Sequence, residues 1–199
     1  MDETRLFYSM APDKTIAQRQ IEGSKNDKTR ITVAFTCNAN GSDRFEPLFI
    51  GHAGKPRFFL KKTALELGFK FYYHNKRAWM TGIFFQDYLK RFNRYVKRKV
   101  ALVIDNAPSH VIEGLDSESE LSNIEIILLP PNTTSKLQPL DAGIIAAFKK
   151  HYRRRQLAYA LDLMDAGSVA NPYKVSQLQA MRWTVRAWNG LDQSVFANC

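Results

Sequence analysis

Val100-Ala101-Leu102-Val103-Ile104-Asp105-Asn106-Ala107-Pro108 is the stretch that decides the fold class. Five apolar residues without polar alternation predict a strand buried on both faces, as at the centre of an α/β sheet. The turn chemistry of Asp105 to Pro108 ends it. Asp105 is then at the carboxyl end of a predicted inner strand, where the catalytic and ligand-binding groups of open α/β sheets gather. The same Asp also suits capping of the next turn, helped by Asn106 and Pro108.

Outward toward the C-terminus, Ile124 to Leu129 repeats the apolar run and ends in Pro130-Pro131. The polar residues 109–123 leave room for a short crossover helix, which predicts parallel pairing of the two strands. From Pro139 to Met164 the pattern is helical. Ile144, Ile145, Phe148 and Tyr152 form an apolar arc of about 100°, and Asp141 falls inside it. This turns the Asp141 carboxylate toward the sheet, where it needs a cation partner. A first-turn acid favoured by the helix dipole is the alternative. Lys149, Lys150, Arg153 and Arg154 share the opposite arc, with Arg155 just off it; such a cluster suits phosphate contact, a nuclear-localisation role or a solvated face. Residues 167–199, with Trp183, Val185 and Trp188, predict a terminal helical element.

Toward the N-terminus, residues 82–98 predict a helix with Phe84, Tyr88, Leu89, Phe92, Tyr95 and Val96 on its core arc. Lys90, Arg91, Arg94, Lys97 and Arg98 lie opposite, as a solvated or nucleic-acid-facing arc. Residues 31–37 and 46–50, separated by Asn38-Ala39-Asn40-Gly41-Ser42, predict a β-hairpin. Residues 69–73 add a short strand, Leu6-Phe7-Tyr8 another, and residues 9–29 an irregular arm. The sum is one α/β domain with a mixed sheet.

Composition narrows the function. The 199 residues are 45% hydrophobic and 24% charged, which is globular and not disordered. Lys and Arg number 29 against 19 Asp and Glu, a net charge of +10 that favours a polyanionic partner. Two cysteines, Cys37 and Cys199, make neither a disulfide framework nor a CxxC metal cluster. No run is long enough to span a bilayer, and nothing resembles a signal peptide, so an intracellular soluble protein without membrane contact is expected. Carboxylates on a basic chain poor in His and Cys suit hard divalent cations, which take oxygen ligands and serve phosphodiester displacement.

Three blocks carry a resemblance. Asp2-Glu3-Thr4 with Pro12-Asp13-Lys14-Thr15, Val103-Ile104-Asp105-Asn106-Ala107-Pro108-Ser109-His110, and Leu129-Pro130-Pro131-Asn132-Thr133-Thr134-Ser135-Lys136-Leu137-Gln138-Pro139-Leu140-Asp141 resemble, in order, the catalytic domain of pogo/Tigger-type transposases. These belong to the DDE superfamily of endonucleases, whose relatives include centromere protein B-like and jerky-like proteins. The resemblance implies a ribonuclease-H-like, five-stranded mixed sheet flanked by helices. Residues 1–165 would be the catalytic domain and 166–199 its C-terminal helical extension. Asp2, Asp105 and Asp141 would be the catalytic, metal-binding acids of an Asp-Asp-Asp set, and thirty-five residues separate the last two. Asn106 and His110 would be accessory groups that orient water or a ligand, or serve only the turn.

The implied activity is cut-and-paste transposition in the nucleus with two Mg²⁺ or Mn²⁺ ions. Water would first hydrolyse transposon ends, and a 3′-hydroxyl would then attack target DNA. Lys149, Lys150, Arg153, Arg154 and Arg155 would bind DNA, with a homo-oligomer forming on it. Nothing corresponds to the family's upstream helix-turn-helix region, and only Met1 precedes Asp2, so a catalytic core cut at its first acid is expected. A decayed or domesticated domain that binds nucleic acid or protein is the rival reading; a structure-directed nuclease of the same fold is a third.

Overall fold

The computed structural model describes residues 1–12, 27–115, 120–167 and 171–199. Most of the predicted arm at 9–29, and Asp13-Lys14-Thr15 of the first resembling block, lie outside the described residues. Among the described residues there are six strands: β1 (Asp2–Leu6), β2 (Ile31–Phe35), β3 (Leu48–Gly51), β4 (Tyr72–His74), β5 (Val100–Ile104) and β6 (Ile124–Leu128). The helices are α1 (Gly82–Tyr95), α2 (Thr134–Leu137), α3 (Ile145–Asp165), α4 (Gln177–Asn189) and α5 (Gln193–Ala197).

The predicted hairpin forms. β2 and β3 pair antiparallel, with Val33 opposite Phe49, and Cys37 bridges Arg44 beyond them. Gly41 turns the chain at φ +66°, and a Cβ there would strike the Phe196 ring at 2.3 Å, so the position needs glycine. β1 joins β2 antiparallel and β4 joins β3 parallel, giving the order β1-β2-β3-β4.

β5 and β6 pair in parallel, as their apolar runs predict, but as a separate two-stranded sheet. The sheet is therefore four strands plus two, and differs from the expected single five-stranded one. A single hydrogen bond from Met1 N to the Val103 carbonyl (3.0 Å) links β1 to β5, too little to make a continuous ladder.

The strands covered on both faces are β2 and β3, not β5. Ile31, Val33 and Phe35 enter one core with Phe49, Phe148, Tyr152, Trp183 and Trp188; Ala34 enters another with Leu48, Ile50, Phe85, Tyr88, Leu89 and Phe92. Along β5, Leu102 and Ile104 are buried while Ala101 and Val103 are exposed. The reason lies in what covers the strand. α1 packs on one face, whereas the described parts of residues 109–123 form turns and not the expected crossover helix; residues 116–119 lie outside the description.

Thr81 caps α1 by accepting from the Phe84 amide. Phe85 is fully buried and the predicted Phe84 packs partly buried against the same core, while Tyr95 is half exposed. Val96 turns extended, so Lys97 and Arg98 leave the helix. The basic arc is partly neutralised at the surface, Lys90 by Glu120 (2.6 Å) and Arg91 by Asp87 (2.9 Å).

A π-helical turn, Leu140–Ile144, precedes α3. It takes more residues per turn than an α-helix, so positions upstream rotate away from the stripe of Phe148 and Tyr152. Asp141 is consequently exposed, contrary to the 3.6-residue reading that put it in the buried arc. The C-terminal segment forms two helices. Arg44 holds the end of α4 by donating to the carbonyls of Trp188 (2.9 Å) and Leu191 (2.8 Å), where a cation complements the helix dipole. Cys37 and Cys199 are free thiols. Among the described residues, no helix is long and apolar enough to cross a membrane.

Candidate active site

Asp2 opens β1 and is buried. Its Oδ1 accepts from the Glu3 amide at 2.7 Å, while its Oδ2 is buried with no hydrogen-bond partner. Burial first, and then the charge of Asp141, push its pKa up to about 8; Glu3 and Asp105 add to the rise. The three predicted acids thus share one electrostatic neighbourhood.

Gln138 helps bring them there. It is buried in front of the π turn and donates to the Met1 carbonyl at 3.0 Å. One turn-forming segment thereby fixes both the start of β1 and the approach to Asp141. Strand and helix periodicity carry no signal for this contact, which spans 137 positions of sequence.

Asp105 ends β5 as predicted. Its Oδ1 accepts from the Ala107 amide at 3.3 Å, so it does cap the turn, and it also lies 2.7 Å from His110 Nδ1. His110 is buried, stacks on Phe85 at 4.6 Å, and places Nε2 2.9 Å from Glu3 Oε1. Burial alone would lower the His110 pKa, but the hydrogen bonds and charges of Glu3 and Asp105 outweigh it and the pKa is raised. A protonated imidazole has a donor for each carboxylate. Glu3 was not singled out in the sequence; its only signal was adjacency to Asp2 in the first block. Asn106 is exposed beside this pair.

The basic cluster on α3 divides. Lys149 is half-buried, and burial lowers its pKa against the opposing pull of Asp141 and Asp2, so it faces the acids. Arg153 donates to the carbonyls of Met10 (2.7 Å) and Phe7 (3.1 Å), tying the chain after β1 to α3 in place of the free face predicted for it. Lys150, Arg154 and Arg155 are exposed. A cleft of about 500 Å³ along β1 is lined by Glu3, Arg5, Lys149 and Arg153, among others.

The donor chemistry fits a hard divalent cation. Asp2 offers an orphaned buried oxygen, and acidic neighbours raise its proton affinity. The acids are not gathered into a closed coordination group: among the described residues, no three His, Cys, Asp or Glu side chains are so arranged.

A layered α/β domain with carboxylates at the strand ends, beside a basic helix, is the class of structure that fold and site define. Residues 28–199 match the family model described as DDE superfamily endonuclease, and the chain belongs to that family, in its pogo/Tigger-type branch. The match includes Asp105 and Asp141 and begins after Asp2. The chain is 35% identical over 206 residues to CENP-B homolog protein 2 of Schizosaccharomyces pombe, covering 100% of this chain and 40% of that protein. It is 34% identical over 194 residues to ARS-binding protein 1 of the same yeast, covering 94% and 37%. With Tigger transposable element-derived protein 4 of Mus musculus it shares 31% over 156 residues, covering 76% and 29%. The chain thus spans about two fifths of the length of the first of these relatives. No solved structure matches it.

Proposed function

We propose that the chain is a DNA-cutting and strand-transfer domain of a cut-and-paste transposase, acting on transposon ends and target DNA. Residues 1–165 are the catalytic part, of ribonuclease-H-like architecture, and 166–199 their helical extension. The observation that carries this reading is the buried, partnerless Oδ2 of Asp2 in the field of Asp141 and Asp105. A carboxylate so placed is costly unless a cation meets it.

Asp2, Asp105 and Asp141 would hold the cations, Mg²⁺ or Mn²⁺. Two such ions activate an attacking oxygen and stabilise a leaving one in phosphodiester displacement. The chain's own groups do the rest. His110 orients Asp105 and holds β1 against the end of β5 through Glu3. Asn106 is a solvent-facing accessory group at the same turn. Gln138 sets the distance between the start of β1 and the third acid. Lys150, Arg154 and Arg155 contact phosphates without reading bases, with Lys149 closer to the acids. The need to join two ends calls for a homo-oligomer on DNA, and its place of action would be the nucleus.

The test is nicking of a labelled terminal-repeat duplex with Mg²⁺ or Mn²⁺. Cleavage by the wild type and none by Asp105→Asn is expected; no metal-dependent cleavage, or equal cleavage by both, overturns the reading.

A second reading is favoured by the relatives' names, which include a CENP-B homolog and an ARS-binding protein. On it the chain is a transposase-derived domain that binds DNA without cutting. Metal-independent duplex binding, unchanged in Asp105→Asn and without cleavage, would select it.

A further inference from the structure

We propose that Trp79 and the arginines around it form a stacking platform for unpaired nucleotides of a DNA strand, next to the cleft along β1. The proposal rests on DNA being the partner, and goes beyond it by naming unpaired strand and a site for it.

The chain has three tryptophans. Trp183 and Trp188 are in the core, 4% and 0% exposed, whereas Trp79 is 42% exposed. Its loop is nevertheless held firmly. Asn75 donates from Nδ2 to the Trp79 carbonyl (2.7 Å), and its Oδ1 accepts from the amides of Arg77 (3.1 Å) and Trp79 (3.2 Å). Thr32 donates to the carbonyl of Ala78 at 2.6 Å. Ala78 is fully buried at φ 49°, a left-handed conformation that costs a non-glycine residue on the order of 1 kcal/mol or more. A large ring carried on a rigid, strained loop and left in solvent serves contact better than stability.

Three guanidinium groups surround that ring. Those of Arg5, Arg30 and Arg77 lie 5.3, 5.4 and 5.9 Å from its centroid. Arg30 also donates to the Arg77 carbonyl at 3.1 Å. None of the three makes an ion pair among the described residues. Three charges with no ion-pair partner among the described residues crowd one ring, and a polyanion relieves their mutual repulsion.

The combination selects unpaired strand over duplex. Phosphates alone satisfy arginines, and duplex DNA offers those. A flat indole adds the face of a base, which a duplex keeps inside its own stack. Position fits as well. Glu3 and Arg5 share one face of β1, about 7 Å apart. Glu3 bonds His110, and His110 bonds Asp105. The cleft that holds Glu3 also holds Arg5, so unpaired nucleotides beside a cut end at Asp105 reach Trp79 within a residue pair of the site.

The test is fluorescence anisotropy of a labelled single-stranded oligodeoxynucleotide and of the matched duplex, in EDTA, so that no cleavage is needed. Trp79→Ala is expected to weaken single-strand binding about tenfold and leave duplex binding unchanged, with Trp79→Phe in between. Arg5→Gln should weaken single-strand binding and reduce its salt dependence. Unaltered single-strand affinity in Trp79→Ala, or equal loss on both DNAs from a variant with wild-type melting temperature, overturns the platform. The outcomes separate from those of the catalytic reading: single-strand binding that depends on Trp79 in a chain that never cuts upholds the platform, and normal cutting with Trp79-independent binding overturns it alone. Absence of binding to any DNA overturns both.

Discussion

His110 and Asp105 are joined twice: the imidazole Nδ1 lies 2.7 Å from the Asp105 carboxylate and 3.1 Å from its backbone carbonyl. The other ring nitrogen holds Glu3, so one buried side chain couples the strand of the first acid to the strand of the second. His110→Ala removes the imidazole from both carboxylates, leaving Asp105 only the Ala107 amide, and is expected to destabilise the fold by about 3 kcal/mol. Urea denaturation measures it, and nicking should fall more steeply than the folded fraction; loss in strict proportion to unfolding would make His110 structural only.

Asp2 sets a pH dependence of definite sign. With its pKa raised to about 8, the folded chain keeps a proton that the unfolded chain releases in the ordinary carboxylate range. Between those two values the folded state binds more protons, so this contribution to stability declines as pH rises. The raised pKa of His110 acts in the same sense: its contribution is full below the unfolded value and is lost as pH climbs through the folded one. In EDTA, Asp2→Asn should therefore be increasingly more stable than the wild type from about pH 5 to pH 8. Paired calorimetric melts read the difference, and a gap that shrinks with pH contradicts the account.

Divalent cations should reverse that trend. Mg²⁺ at about a hundred times its dissociation constant raises stability by about 2.7 kcal/mol. The rise is expected in the wild type near pH 8 and absent in Asp2→Asn and Asp105→Asn. A melting temperature that Mg²⁺ raises equally in all three proteins would point to a site elsewhere.

On α3, exposed Lys150, Arg154 and Arg155 differ in kind from Arg153, which bonds Met10 and Phe7. The triple variant Lys150→Gln, Arg154→Gln, Arg155→Gln should lower the slope of log affinity for duplex DNA against log salt by about 3, with the fold intact. Arg153→Gln should instead show its main effect in thermal unfolding. An unchanged slope in the triple variant removes this helix from the DNA interface.

The C-terminal helices are part of the core and no appendage. Trp188 is fully buried, stacks on Phe35 at 4.4 Å and donates to the Phe45 carbonyl at 3.3 Å. Trp188→Ala is expected to cost about 4 kcal/mol in chemical denaturation, and a loss under 1 kcal/mol would show that this segment folds apart from the sheet.

Much of this was legible in one dimension. The apolar runs at 100–104 and 124–128 pair in parallel as their length and spacing required, the Asn-Gly turn made its hairpin, and the three blocks identified the family. The errors share a cause. Periodicity reports which residues of an element lie together, not which neighbour covers them. β5 reads as doubly buried because it is wholly apolar, yet the covered strands are β2 and β3, and β2 carries Thr32, which the Ala78 carbonyl satisfies, with Thr36 just beyond it bonded to Tyr88. Asp141 was misplaced because a helical wheel assumes 3.6 residues per turn, and the π turn breaks that count.

The order of motifs, the parallel pair and the presence of three acids on a basic chain are local or additive properties, and the chain of residues carried them. The link from Glu3 through His110 to Asp105, the Gln138 tie to Met1, the diversion of Arg153 and the arginine-ringed Trp79 are different. Glu3 and His110 are 107 positions apart, and no local pattern encodes such a contact. A carboxylate's partners, its burial and its proton affinity come from whatever the folded backbone brings beside it, so the chemistry of the site arose only when distant segments were packed together.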